Sequence, residues 1–348
     1  MRMTEITIEQ AVGLPLAHDL TKIDAKNHTK GARFKKGQVI TKDDLPVLRE
    51  MGKEHLSILE LEPWEVHEDD AAHALCGVLK GERCAASQPE EGRITLKATV
   101  DGLLDYDAAM VHRVNEDPDW VLATLPPHRQ VKAGQPVAGF RIRPLVMEKD
   151  RVDRAVQVAS RIDVFPFEPL KAGLVTTGRE IVEGRVEDAF ADKFRGKLSV
   201  FGGTLIGQRF STDDSEMIAD AIRAFIDEGA DFVVCTGGMS VDPDDRTPGG
   251  IGLVAREIAF RGVPILPGAM LMLGWADPKT GGAGARDVAL IGTPACAVHD
   301  ERTALDCVMP FIFARRDPTP YIRRWGVGGL CERCSPCHWP SCSFSSGR

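Results

Sequence analysis

Two short apolar runs, each ending in a Thr-Gly step, most narrowly limit what this chain can fold into. Gly173-Leu174-Val175-Thr176 leads into Thr177-Gly178, and Phe232-Val233-Val234-Cys235 leads into Thr236-Gly237-Gly238. Runs so short and uniformly apolar read as strands buried on both faces. Between them Met217, Ile218, Ala221, Ile222, Phe225 and Ile226 recur at helical spacing and form one buried stripe. Asp213 is placed to cap that helix, with Glu216 three residues on, and Gly229 to end it. A second helix is expected over Val186 to Phe194, followed by an apolar stretch at Leu198-Ser199-Val200-Phe201. Strands alternating with helices at this spacing predict an α/β unit whose mostly parallel sheet is wrapped by helices.

At 348 residues the chain is too long for one ordinary compact domain. Phe165-Pro166-Phe167-Glu168-Pro169 reads as a boundary. Before it, residues 1–62 suggest a small α+β unit, with Thr41 capping a helix from Lys42 to Met51 that stops at Gly52. Residues 63–165 suggest a β-rich unit, with an alanine-rich helix from Asp69 to Leu79 and a linking helix from Asp150 to Arg161. The α/β unit is expected over 166–318 and a Cys-rich tail over 319–348.

The net charge of −8 argues against a general nucleic-acid or membrane surface, which would be repelled on average. No uncharged apolar run approaches the ~20 residues that cross a bilayer, and the start lacks a signal-peptide pattern. Five of the nine cysteines are scattered, which fits a reducing cytoplasm. Cys235 ends a strand beside the presumed site and is the scattered thiol singled out for test; the others read as small core residues. His67 and His73 lie among acids and read as solvated surface.

In open α/β sheets, ligands bind beyond the carboxyl ends of the strands. Two loops here hold that position: Thr177-Gly178-Arg179-Glu180, and Thr236-Gly237-Gly238-Met239-Ser240-Val241-Asp242-Pro243-Asp244-Asp245-Arg246-Thr247. Each opens with a hydroxyl and glycine, so the backbone can approach a phosphate, and each then supplies carboxylates and an arginine.

The second string resembles the signature loop of the molybdopterin-binding domain, which molybdopterin adenylyltransferases and molybdopterin molybdenumtransferases share. Further landmarks resemble the molybdenumtransferase type in order: Thr177-Gly178-Arg179-Glu180, Ser211-Thr212-Asp213-Asp214, Pro267-Gly268 with Met270, and Gly292-Thr293-Pro294-Ala295. The similarity covers about residues 170–315. It implies a three-layer α/β domain in which Gly237, Gly238 and Ser240 hold the terminal phosphate of the pterin. Thr177, Gly178, Thr236, Thr247 and Pro294 would complete the cofactor site. Glu180, Asp214 and Asp245 would be catalytic, near the dithiolene or holding Mg2+. The implied activity is molybdate insertion into molybdopterin or adenylylated molybdopterin, in a homo-oligomeric transferase of the cytoplasm. Residues 1–165 lack the motif series of that family's amino-terminal half, and Thr293 stands where its asparagine is usual. A non-catalytic carrier of the cofactor, docking on a molybdoenzyme, is therefore the alternative.

The tail carries Cys331, Cys334, Cys337 and Cys342 in a Cys-x2-Cys-x2-Cys-x4-Cys spacing. That spacing suits either a four-iron cluster or a tetrahedral zinc set, with His338 as a substitute ligand.

Overall fold

A computed structural model of the chain describes residues 2–24, 29–178, 189–239, 242, 245–279 and 286–344. Among them no helix is long and apolar enough to cross a membrane.

The first sixty residues pair strand Arg2–Thr7 antiparallel with His55–Glu60 and form a hairpin from Leu20–Asp24 and Thr29–Phe34. Ile8, Leu16, Phe34, Ile40 and Leu48 close their core. The following stretch builds a four-stranded antiparallel sheet from Cys84–Ala86, Arg93–Ala98, Pro136–Ile142 and Trp120–Thr124. Helices Glu68–Leu79, Ala108–Asn115 and Lys149–Val158 accompany it. His67 is not solvated surface: its Nδ1 accepts the amide of Asp69 and so caps the first of these helices.

The α/β unit contains six strands, labelled β1 (Lys171–Thr177), β2 (Thr204–Ser211), β3 (Phe232–Thr236), β4 (Glu257–Arg261), β5 (Met272–Ala276) and β6 (Val288–Thr293). Their order is β2-β1-β3-β6-β5-β4, and β5 alone among these runs against the rest. Five helices are described: α1 (Phe190–Ser199), α2 (Ser215–Asp227), α3 (Thr247–Val254), α4 (Cys296–His299) and α5 (Ala304–Phe313).

The pleat divides the strand residues between two cores. Leu174, Phe232, Val234 and Ile291 pack with Phe190 and Phe194 of α1 and Leu305, Val308 and Ile312 of α5. Val175, Val233, Cys235 and Leu290 pack with Ile218, Ile222, Phe225 and Ile226 of α2 and Ile251 of α3. Both faces are thus covered, which is the expected three-layer α/β arrangement.

One local expectation shifts. The cap of α2 is Asp214, one residue later than Asp213, and its Oδ1 accepts the amides of Glu216 at 2.9 Å and Met217 at 3.0 Å. The apolar stretch Leu198-Ser199-Val200-Phe201 closes α1 at Ser199, and a strand follows at Thr204–Ser211. The part of the expected second helix before Ala189 lies outside the described residues.

Gly173 decides how closely α2 approaches the sheet. A Cβ there would lie 2.5 Å from the Phe225 ring. Gly173→Ala is expected to destabilise the protein by about 1–3 kcal/mol through overpacking, read as a lowered denaturation midpoint in urea. An unchanged midpoint would show that α2 can slide away without loss.

Candidate functional site

β1 is flanked by β2 on one side and β3 on the other, so the chain reverses its direction of winding there. The crevice beyond the carboxyl ends of β1 and β3 is the topological switch point, where open α/β sheets bind ligands. The register sets a row of threonines across this edge, with Thr176 beside Thr236 and Thr236 beside Thr293.

The two Thr-Gly loops meet there. Thr177 Oγ1 donates to the Thr236 carbonyl at 3.2 Å and lies 3.2 Å from the Thr247 hydroxyl. The Thr247 hydroxyl donates to the Gly237 carbonyl at 2.8 Å. Two hydroxyl protons serve three contacts, so the Thr177–Thr247 contact is the shared one. Gly237 (φ +91) and Gly238 (φ +53) both occupy the left-handed region. A Cβ on Gly237 would stand 2.5 Å from the Thr177 carbonyl oxygen, and one on Gly238 would stand 2.9 Å from Thr247 Oγ1. The loop therefore fits against β1 only with glycine at Gly237. Among the described residues no backbone acceptor takes the amide of Gly237 or Gly238. By contrast, the Gly178 amide is committed to the Ser211 carbonyl at 3.2 Å.

Among the described residues, two buried polar atoms of these strand-end segments have no partner: Asp245 Oδ2 and Thr293 Oγ1. An unpaired buried carboxylate oxygen costs free energy unless a ligand, ion or water satisfies it. Asp245 is tied to its loop through its own amide, which donates to the Asp242 carbonyl at 3.0 Å.

The other expected site residues have different fates. Asp214 is exposed and holds the first turn of α2, so its Oδ1 serves as a cap. Pro294 is half-buried and opens α4, its carbonyl accepting the Ala297 amide at 3.0 Å. Arg246 is exposed, and its carbonyl accepts the Ser215 hydroxyl. Glu180, Ser240 and Arg179 lie outside the described residues. Cys235 is fully buried, and burial pushes its thiol up to about 12, so it stays protonated and unreactive.

A residue that the sequence reading passed over is Met239. It is buried against β6, where a Cβ on Gly292 would meet its Sδ at 2.6 Å. Its position just after Gly238 was visible, but nothing in a lone methionine marks it as the loop's anchor.

A magnesium site was also expected. Among the described residues no group of three or more His, Cys, Asp or Glu side chains is placed to hold a metal ion. Asp245 Oδ2 is the buried carboxylate oxygen that has no partner among the described residues. The same finding corrects the expectation of zinc or a four-iron cluster in the tail: among the described residues its four cysteines and His338 form no group placed to hold a metal.

Residues 173–314 match the family model described as "Probable molybdopterin binding domain", and residues 5–60 match one described as a domain of unknown function. A CinA-like protein of Mycobacterium avium (strain 104) is 34% identical over 86 residues, 25% of this chain and 19% of the relative. The chain spans about a fifth of the length of the curated relatives it matches. Among solved structures, the tungsten cofactor synthesizing protein MoaB from Pyrococcus furiosus is 19% identical, with 42% of this chain and 94% of that chain covered and a TM-score of 0.33. The protein CinA from Thermoplasma acidophilum is also 19% identical, with 41% and 98% covered and a TM-score of 0.33.

Gly237→Ala should force the second loop off β1 and cost ~1–3 kcal/mol of stability from backbone strain and contact. The same change made at Gly252, where a Cβ meets nothing within 4 Å, serves as the comparison. Equal effects in thermal unfolding would remove the steric argument.

Proposed function

Given the molybdopterin-binding domain at residues 173–314, we propose that the chain binds molybdopterin through its terminal phosphate and takes part in molybdenum cofactor biosynthesis. In this reading it inserts molybdate into adenylylated molybdopterin, as a molybdenumtransferase-like enzyme. The observation that carries the proposal is the meeting of the two Thr-Gly loops at the switch point, where among the described residues no backbone acceptor takes the Gly237 or Gly238 amide, with Asp245 on the same loop. Glycine amides at a strand end suit an anionic phosphate, because they donate without bringing side-chain bulk. The Asp245 oxygen suits a cation or a donor group on the substrate. Magnesium, if bound with Glu180, would offset repulsion between a nucleotide phosphate and the pterin phosphate.

A carrier that holds the finished cofactor for a molybdoenzyme is the second reading. Asp214 favours it, since a carboxylate engaged in capping α2 is withdrawn from the acid set that insertion would use.

The two readings separate on Asp245→Asn in the full chain, supplied with adenylylated molybdopterin and molybdate. Enzymatic insertion predicts turnover by the parent that falls ~100-fold or more in the variant, with pterin affinity little changed. No turnover by either form, with pterin still bound, selects the carrier. Failure of the parent to bind molybdopterin overturns both.

A further inference from the structure

The β-rich unit and the segment after α5 share a cavity of about 570 Å³, a volume suited to a small ligand. Arg83, Asp105 and His128 line it from the β-rich unit, and Tyr321, Arg324 and Trp325 from the segment after α5. It shares no lining residue with the proposed pterin crevice. Nor does it share one with the thiol cavity, which Cys331, Cys334, Cys337 and Cys342 line beside the loop between α4 and α5.

His128 is the unusual residue of this wall. Its backbone adopts φ +62, in the left-handed region that a side chain disfavours. Two bonds hold it there: its amide donates to the Leu104 carbonyl at 2.7 Å, and the Leu104 amide donates to the Arg129 carbonyl at 2.9 Å. The ring packs against Tyr321 and Phe311, with centres 4.1 Å and 5.1 Å away. Its side chain is only 8% exposed, yet among the described residues neither ring nitrogen makes a hydrogen bond. Nε2 approaches Asp105 Oδ1 only to 3.4 Å. Trp325 repeats the pattern, being 1% exposed with no partner for its Nε1 among the described residues. Backbone strain and unpaired buried polar atoms both cost free energy, and they collect where ligands are held.

What the wall leaves unspent decides the chemistry of that ligand. Its acids are engaged. Asp105 pairs with Arg316 at 3.2 Å, Asp107 with Arg113 at 2.8 Å and Glu82 with Arg161 at 3.6 Å. Asp163 accepts the amides of Arg83 at 2.9 Å and Val164 at 2.8 Å. The donors are not matched in this way. An indole nitrogen can only donate, and an imidazole donates from at least one nitrogen. The guanidinium groups of Arg83 and Arg324 form no ion pair among the described residues, and Arg324 acts on Asp107 only at longer range. Donors without acceptors select an oxyanion, whose several lone pairs can take bonds from charged and neutral donors together.

We propose that this cavity binds a small molecule through a phosphate or carboxylate group, held by His128, Arg83, Trp325 Nε1 and Arg324. The bound oxyanion joins the β-rich unit to the segment after α5, because each supplies two of these donors. The site stands or falls independently of the pterin crevice.

The test follows the indole N–H resonance of Trp325 in the isotope-labelled full chain, identified by sequential resonance assignment. Phosphate, acetate and chloride are added in separate titrations at matched ionic strength. The expected result is a saturable shift with phosphate or acetate and none with chloride, and the anion that binds more tightly identifies the group. Arg83→Gln/Arg324→Gln, at a half-buried and an exposed position, should weaken that response by ~10-fold. Gly237→Ala, which alters only the pterin crevice, should respond as the parent does, so failure of the pterin reading and failure of this one are read apart. A Trp325 resonance that neither oxyanion moves, an equal shift with chloride, or undiminished affinity in a folded double variant would each overturn the proposal. Far-ultraviolet circular dichroism establishes the fold of the double variant, and the parent titrations decide alone if it unfolds.

Discussion

The hydroxyl of Thr177 holds the carboxyl edge of the sheet in one piece. Parallel strands are joined along their length by the backbone ladder, but their outgoing loops have no such tie. Thr177 supplies one by bonding the Thr236 carbonyl and touching Thr247, which in turn bonds Gly237. Each such bond is worth only ~1 kcal/mol net. All three threonines are buried, however, so breaking one contact strands a polar partner away from water. The network is small in energy and decisive in position. It places the first residue of α3 and the turn at Gly237 and Gly238 against the end of β1, and Met239 then pins the loop to β6.

The opposite face shows how the other helices are registered. Lys197 of α1 reaches Asp306 of α5 at 2.6 Å, with both side chains buried, and its ammonium also meets the Glu301 carbonyl at 2.9 Å. Lys193 reaches the Val298 carbonyl at 3.1 Å. Aromatic packing surrounds these lysines, including Phe190 stacked on Phe194 and Phe201 stacked on Phe313. A buried ion pair is weak evidence of net stability, because desolvation offsets much of its attraction. Its directional partners do fix the loop between α4 and α5, and that loop forms one wall of the thiol cavity. Arg302 joins the same network through Asp306.

How much of this could be read from the sequence depended on how each residue is buried. β1, β3 and α2 were legible because continuous apolar runs and a helical stripe have few alternative explanations. β2 was not, since it is an edge strand of mixed polarity that pairs with β1 alone, and the apolar Leu198 and Phe201 nearby are buried as the end of α1. Gly207 and Arg209 of β2 instead accommodate Phe225, with the Arg209 guanidinium 4.1 Å from its ring centre. The cap of α2 slipped by one residue because adjacent aspartates are equivalent on paper and only the backbone angle at Asp214 separates them. Both Thr-Gly loops were legible as tight turns at neighbouring strand ends. The separate fates of their side chains were not, since bonding to a carbonyl leaves no mark in composition.

The cysteines expose the same limit from another side. Spacing along the chain identifies thiols that can gather, but where they stand depends on how the tail docks. It docks through Phe344 in the core, Arg333 on Asp300 and Arg302 against Trp339. The connection is also directional. β6 ends at Thr293 in the threonine row, α4 follows at once, and the loop after α4 meets the tail. The short α4 segment therefore joins the wall of the thiol cavity to the strand end where, among the described residues, Thr293 Oγ1 is left unpaired. Arg302 pairs with Asp306, whose carboxylate also accepts the Thr303 amide at the start of α5, so the wall of the cavity is fastened to that helix.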